Sequence, residues 1–542
     1  MWRRDWRDHL PATLGERSWD IVIIGGGITG AGILLEAARN GLKALLVEQR
    51  DFAWGTSSRS SKLVHGGLRY LKEGKLHLTR DSVREREHLL NEAAGLVEPQ
   101  SFAFADYRGR KPGRRLFSLG LALYDLMAGR RERHYYRPDE FMMLAPHIGR
   151  DGLNGGLCYT DAKTDDARLV LRVLEEAAAA GGVAFNYLEA TGLLRTDGKV
   201  SGVALRDAVG GASYEVRAKV VVSATGAWAD RLRGDAPNRQ RLRPLRGSHL
   251  IFPAWRLPVA QAVSLMHPRD GRPVFAFPWE GATLVGTTDI DHREDMRAEA
   301  AITEDEVEYL LQAVAFQFPQ LHIGRDDILS TYAGVRPVVD TGKADPSKEG
   351  RDHVVWLEDG LLTVTGGKLT TFRLIALDAL QHAAALLPHW HADFRPQPIF
   401  RAPEPLPADI GLGARQRARL QGRYGRHAAA LLQAAHAGEL QAIPGTDTLW
   451  AELRWAAGHE AVERLEDLLL RRTRIGLLVR EGGAGLLPRI RAICQEELGW
   501  NDGRWADEQA NYLALWRRHY SLPPRPATAR DQAGSARQTL AA

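Results

Sequence analysis

One stretch near the N-terminus limits the possible folds more than any other. Asp20-Ile-Val-Ile-Ile24 is an unbroken apolar run that enters the glycine turn Gly25-Gly-Gly-Ile-Thr-Gly30, and a small-residue helical segment continues to about Asn40. Such a run reads as a parallel strand buried on both faces. A second apolar strand, Ala44-Leu-Leu-Val47, ends at Glu48. Strand, turn, helix and strand over roughly thirty residues make a mononucleotide-binding βαβ unit. Gly25 permits the tight turn, Gly27 lets the backbone approach a pyrophosphate, Gly30 lets helix and sheet pack closely, and the helix N-terminus faces the negative charge. A carboxylate at Glu48 accepts hydrogen bonds from ribose hydroxyls and disfavours a 2′-phosphate, which argues against NADP.

Two later turns separate FAD from NAD. Ala224-Thr-Gly-Ala-Trp228 and Thr365-Gly-Gly-Lys-Leu-Thr370 each follow an apolar strand. Taken singly, either could be an ordinary connection; with the first turn they make three backbone approaches to one long ligand, which favours FAD. A helix starting after Gly367 would bring its positive end to where charge gathers on a reduced flavin. The run Thr56-Ser-Ser-Arg-Ser-Ser-Lys-Leu-Val-His-Gly-Gly-Leu-Arg-Tyr70 is too polar for core and lacks the acids of a common solvated loop. Hydroxyls of Thr56, Ser57 and Ser58 suit a pyrophosphate, and Lys62 to Gly67 suit the edge of a flavin.

The chain has 542 residues, room for three or four domains at about 150 residues each. Residues 18–395 are expected to form an α/β, Rossmann-type FAD-binding domain, with a mainly antiparallel β substrate domain inserted around 100–150 and 245–325. Five prolines between Pro396 and Pro407 mark a linker at 396–408. A helical, Arg-rich C-terminal domain spans 409–520, and a disordered tail 521–542. Lys plus Arg is 72 and Asp plus Glu 67, so the net charge is only +5. That balance argues against a dedicated nucleic-acid coat. Two distant cysteines, Cys158 and Cys494, exclude a disulfide framework and a cysteine-ligated metal cluster. No apolar run approaches the roughly 20 residues of a membrane span, and the Trp-rich, basic leader lacks a signal-peptide core.

At these motifs the sequence resembles the FAD-dependent, quinone-linked glycerol-3-phosphate dehydrogenases, glutathione-reductase-like flavoproteins of the D-amino-acid-oxidase type. The likeness includes Ile24 to Gly32, Thr56 to Leu71, Asp165 to Val170, Gly247-Ser-His249, Gly286 to Asp289, Gly334-Val-Arg-Pro337, Gly366 to Thr371 and Arg471 to Gly476. It implies oxidation of sn-glycerol 3-phosphate to dihydroxyacetone phosphate with electrons passed to quinone. It also implies noncovalent FAD held by Gly25, Gly27, Gly30, Glu48, Thr56, Ser57, Ser58, Lys62, Leu63, His65, Thr225, Gly226, Lys368, Leu369 and Thr370. Substrate contacts carried over are Arg69, Tyr70, His249, Arg336 and Lys368. A small dianionic phosphate ester needs several fixed cations, and Arg69, Arg336 and Lys368 stand beside glycine turns. His249, just before the apolar strand Leu250-Ile-Phe252, is the candidate base, with Arg336 beside the developing alkoxide.

A glycerol-3-phosphate oxidase would share this half-reaction, although such oxidases carry an inserted segment not found here. An amine or amino-acid oxidase, or an RNA-binding flavoprotein using Arg471, Arg472 and Arg474, are more distant readings. A quinone acceptor implies peripheral attachment to the inner face of the cell membrane, and a homodimer stays open. The apolar stretch Leu116 to Met127, flanked by Arg108, Arg110, Lys111, Arg114 and Arg115 and by Arg130, Arg131 and Arg133, suits an interfacial helix. Its alternative is a helix packed on the flavin domain. The leader, with Trp2 and Trp6, is a second, weaker candidate anchor.

Overall fold

Trp19–Ile24 lies at the centre of a parallel sheet, where Ile21, Val22 and Ile23 have no exposed surface. In a computed structural model describing residues 2–15, 18–68, 74, 76–110, 113–129, 131–233, 241–343, 349–350, 352–407 and 410–524, the strand pairs in parallel with Ser213–Ser223 on one side and Ala44–Val47 on the other. Leu361–Gly366 and Val183–Phe185 extend the parallel sheet, and His353–Glu358 closes one edge antiparallel. Helices Ile28–Arg39, Asp166–Ala179 and Phe372–Ala384 pack together against it. Three parallel strands, Trp19–Ile24, Ser213–Ser223 and Leu361–Gly366, therefore run side by side into the three glycine turns, so turns far apart in sequence meet at one sheet end.

Among the described residues a second sheet has ten strands and is antiparallel except where Ala262–Met266 runs parallel to Val97–Tyr107. It reaches beyond the expected insert, because Leu63–Val64, Leu153–Thr164 and Ser330–Val339 also belong to it. Leu63–Val64 follows the Ser-rich run, so the loop expected to border the cofactor is anchored in the second sheet. The predicted helical region contains Ala414–Tyr424, Trp450–His459, Leu487–Leu498 and Asp502–His519, and its Leu453, Leu469 and Ile490 share an apolar core with Trp279 and Tyr332.

Buried ion pairs join the C-terminal helices to the nucleotide-binding half. Arg471 and Arg472 hold Asp51 at 2.5 and 2.7 Å, and Arg168 makes two bonds to Glu460 at 2.6 and 2.9 Å. Arg471, Arg472 and Arg474 are at most 1% exposed, so they do not form the exposed basic surface that RNA binding would require. Removing one member of such a pair strands the other charge in the interior, at a typical cost of about 3–5 kcal/mol.

Both chain ends, as far as they are described, pack on the fold. The leader straps onto the fold: Trp2 is buried against Phe52 and donates to the Ala184 carbonyl, while the half-buried Trp6 stacks on Phe185. The Trp2 indole is therefore not offered to lipid. At the start of the expected tail, the Tyr520 and Ser521 carbonyls accept from Thr331 at 2.7 and 3.1 Å and tie the end of helix Asp502–His519 to strand Ser330–Val339. Residues 525–542 lie outside the described residues.

Candidate active site

A cavity of about 600 Å³ opens where the three turns meet the second sheet. That volume is ordinary for a cofactor or small-molecule site. Gly25 sits at φ +118°, and a Cβ there would lie 2.5 Å from the Ala224 carbonyl oxygen. A Cβ on Gly30 would lie 1.9 Å from the Gly25 carbonyl oxygen, so helix and turn touch backbone to backbone. The helix Ile28–Arg39 presents its N-terminus to the cavity, with Gly27 as its cap and the Ile28 amide donating to Ser57 Oγ at 3.0 Å. Glu48 accepts from the Gly26 amide at 2.7 Å and from the Arg50 amide at 2.9 Å, which fixes the carboxylate at the cavity wall. Burial nonetheless pushes its pKa above the ordinary carboxylate value. The Thr365 hydroxyl donates to the Gly226 carbonyl at 3.0 Å and ties the second turn to the third. These features fit FAD: a helix N-terminus at the cavity and close-packed glycines for a pyrophosphate, and a fixed carboxylate for a ribose.

The opposite wall comes from the second sheet. His249 stands on Leu242–Pro253, paired across to Gly286 and to Tyr332. Its imidazole, 2% exposed, stacks on the Tyr332 ring at 4.5 Å and 11°, and its Nε2 is 3.0 Å from Ser61 Oγ. Gly286 has to be glycine here, because a Cβ would fall 2.1 Å from His249 Cδ2. Nδ1 is buried without a hydrogen-bond partner among the described residues. Burial, together with the charges of Lys62 and Arg336, pushes the His249 pKa well below the ordinary histidine value. The ring is thus a neutral imidazole near pH 7, able to accept a proton. Arg336 donates to the Thr288 carbonyl at 2.8 Å and lies 3.3 Å from Asp289, while Lys368 donates to Ser82 Oγ at 2.6 Å.

Of the residues expected at the site, Gly25, Gly27, Glu48, Thr56, Ser57, Leu63 and His65 line this one cavity. So do Thr225, Gly226, His249, Arg336, Lys368, Leu369 and Thr370. Gly30 does not line it; it packs helix against turn. Ser58 and Lys62 are off the cavity and need correcting. Ser58 is 4% exposed with its hydroxyl turned to the Gly55 carbonyl, and Lys62 is fully buried with Nζ on Asp166. A lysine beside two glycines resembles a ligand contact, but its φ of +57° turns it inward to a carboxylate 104 residues away. Arg69 and Tyr70 lie outside the described residues. Sequence reasoning missed Ser61 and Arg59, which also line the cavity. Both sit inside the Ser-rich run, but only the fold shows that Ser61 meets His249 and Arg59 meets Glu299 at 2.8 Å.

Comparison with known proteins agrees with this geometry. The family model described as FAD dependent oxidoreductase matches residues 20–373, and one described as the C-terminal domain of alpha-glycerophosphate oxidase matches 397–505. The chain therefore belongs to the FAD-dependent oxidoreductase family, and FAD is its cofactor. Its relatives within that family are aerobic glycerol-3-phosphate dehydrogenases: that of Staphylococcus epidermidis is 39% identical over 388 residues, 70% of each chain. That of Staphylococcus haemolyticus is 34% identical over 496 residues, 86% of this chain and 88% of the relative. The solved structure of a glycerol-3-phosphate dehydrogenase from Bacillus halodurans complexed with FAD matches with a TM-score of 0.76 at 27% identity, covering 96% of this chain and 98% of that one.

Proposed function

We propose that the protein oxidises sn-glycerol 3-phosphate to dihydroxyacetone phosphate and passes the electrons to a membrane quinone. The observation that carries this reading is a buried neutral imidazole, an arginine and a lysine sharing one cavity with the three cofactor turns. The reaction removes hydrogen from C2 with its electron pair and the proton from the C2 hydroxyl, leaving a ketone. Bound FAD supplies the two-electron acceptor for the C2 hydride. His249 takes the hydroxyl proton, Arg336 stabilises the charge growing on that oxygen, and Lys368 holds the phosphate with Arg69 and Tyr70. Anaerobic mixing with sn-glycerol 3-phosphate is expected to bleach the flavin, whereas glycerol at the same concentration is not. Equal bleaching by glycerol would remove the phosphate contacts from the account. An oxidase that reduces oxygen would share this half-reaction, and the description of the matched C-terminal family model supports keeping it as the alternative.

Attachment to lipid supports delivery to an insoluble acceptor. Among the described residues no helix is long and apolar enough to cross a membrane. On the helix Arg114–Ala128, however, Leu116, Leu119, Leu123 and Leu126 are 68, 69, 37 and 77% exposed. Their spacing of three, four and three residues puts them on one face. Leu121, Tyr124 and Asp125 face the protein instead, so this helix both packs and leaves an apolar stripe beside exposed Arg114 and Arg115. Lys111 and Arg130 lie outside the described residues. An apolar stripe edged by cations suits an anionic lipid surface. Changing Leu116→Ser, Leu119→Ser and Leu126→Ser together is expected to abolish co-sedimentation with anionic vesicles at low salt while flavin content stays the same. Undiminished co-sedimentation would move the attachment elsewhere.

A further inference from the structure

The helical C-terminal domain has no residue in the proposed chemistry, yet one of its arginines reaches the turn that holds the base. Arg474, at φ +61°, donates to Asp165 Oδ1 at 2.8 Å, to Asp166 Oδ1 at 2.5 Å and to the Ser58 carbonyl at 3.3 Å. Asp166 in turn accepts from the Ser60 amide at 2.9 Å, from the Ser60 hydroxyl at 2.7 Å and from Lys62 Nζ at 2.8 and 2.9 Å. Two arms run from this node to His249. Ser61, between the two residues that Asp166 holds, meets Nε2 at 3.0 Å. Tyr332, whose ring stacks on the imidazole, donates its hydroxyl to the Ser60 carbonyl at 2.8 Å and lies 4.7 Å from Lys62 Nζ at its ring centre.

We propose that Lys62, held by Asp166, a carboxylate that Arg474 of the C-terminal domain also holds, is a positioning residue for His249, acting through Ser61 and Tyr332. The inference rests on the reading of His249 as the base. Lys62 makes no contact with the cavity; its effect is geometric and electrostatic. Among the described residues, the groups facing the imidazole are Ser61 and Lys62 from the turn, Tyr332 and Arg336 from Ser330–Val339, and Gly286 with Thr287 from the neighbouring strand. Lys62 and Arg336 carry the positive charge among them, and both hold His249 toward its neutral form. A dianionic substrate offsets that field on arrival, so proton uptake becomes favourable only with substrate in place. The C-terminal domain thereby contributes to the reaction at a distance.

Two readouts test this, one without turnover. In protein labelled with ¹⁵N-histidine, the His249 signal, assigned by its loss in His249→Ala, is followed as pH falls. Lys62→Met should raise its titration midpoint by roughly one pH unit, and Lys62→Arg should restore it. In FAD-loaded protein at saturating substrate, the acid limb of the flavin reduction rate should move upward by the same amount in Lys62→Met. Arg474→Met, which unclamps Asp166, should lower the limiting rate at least tenfold with KM changed less than threefold. An unchanged midpoint together with a uniform loss of rate at every pH would overturn the proposal and leave Lys62 a structural residue. Should Lys62→Met fail to fold, Lys62→Gln removes the same charge while retaining a donor toward Asp166. If His249→Ala reduces flavin at the wild-type rate, the base assignment fails, and the labelled titration still reports whether Lys62 governs the imidazole.

Discussion

His249→Ala is expected to slow anaerobic flavin reduction at saturating substrate by about 10²–10⁴, the usual worth of a positioned base. FAD content should not change, because His249 lies on the second sheet, away from the glycine turns that cradle the cofactor. The pH profile gives the expected sign. The base works unprotonated, and its pKa lies well below the ordinary 6.5. The wild-type kcat/KM should therefore run flat through neutrality and lose its base-limited part only well below pH 6.5. Folding stability carries the same sign: as pH drops below 6.5 the unfolded chain binds a proton at this position that the fold refuses, so stability falls. Stopped-flow reduction across pH 5 to 8 checks both the size and the limb. A loss under tenfold would transfer the proton to another acceptor, such as a water held by Arg336.

The second large effect belongs to Gly30. With its would-be Cβ 1.9 Å from the Gly25 carbonyl oxygen, Gly30→Ala cannot be accommodated by a side-chain shift, since both partners are backbone. The helix must move off the turn, and with it the N-terminus that faces the cofactor. The purified variant should be colourless, with a melting temperature several degrees lower, as measured by visible absorbance and thermal unfolding. Gly27→Ala should lower the melting temperature less, because within the protein its Cβ would meet the Ser57 side chain, at 3.0 Å from Oγ. Glu48→Ala should weaken FAD retention more than it lowers stability. A yellow Gly30→Ala protein with wild-type melting would contradict the packing role assigned to this glycine.

What could be read before the fold was known followed local rules. The strand and turn at Asp20 to Gly30 were legible because a buried parallel strand needs consecutive apolar residues, and the turn needs glycine where no Cβ fits. The helix over Leu116 to Met127 was legible as a short apolar stretch between clusters of arginine. Its dual character was not, since only tertiary packing decides that Tyr124 turns inward, to bond Asp161 at 2.5 Å, while Leu126 is left outside. Lys62 looked like a ligand contact because its partner, Asp166, lies on a distant helix. The burial of Arg471, Arg472 and Arg474 was hidden for the same reason: each pairs with a carboxylate more than 300 residues away in sequence. The leader misled through its composition, because Trp and Arg serve a protein interface as well as a membrane one. Pairings set by topology leave no local trace, and the buried ion pairs here are of that kind.

The most direct test is one anaerobic titration followed by reoxidation. Purified protein with its bound FAD is mixed with increasing sn-glycerol 3-phosphate in the absence of oxygen, and the visible flavin absorbance is followed. A soluble quinone analogue is then added to one portion and air to another. Complete bleaching at about one substrate per flavin is expected, with the colour restored far faster by the quinone analogue than by air. Restoration by air as fast as by quinone would make the protein an oxidase, and flavin that stays yellow under excess sn-glycerol 3-phosphate would contradict the account outright.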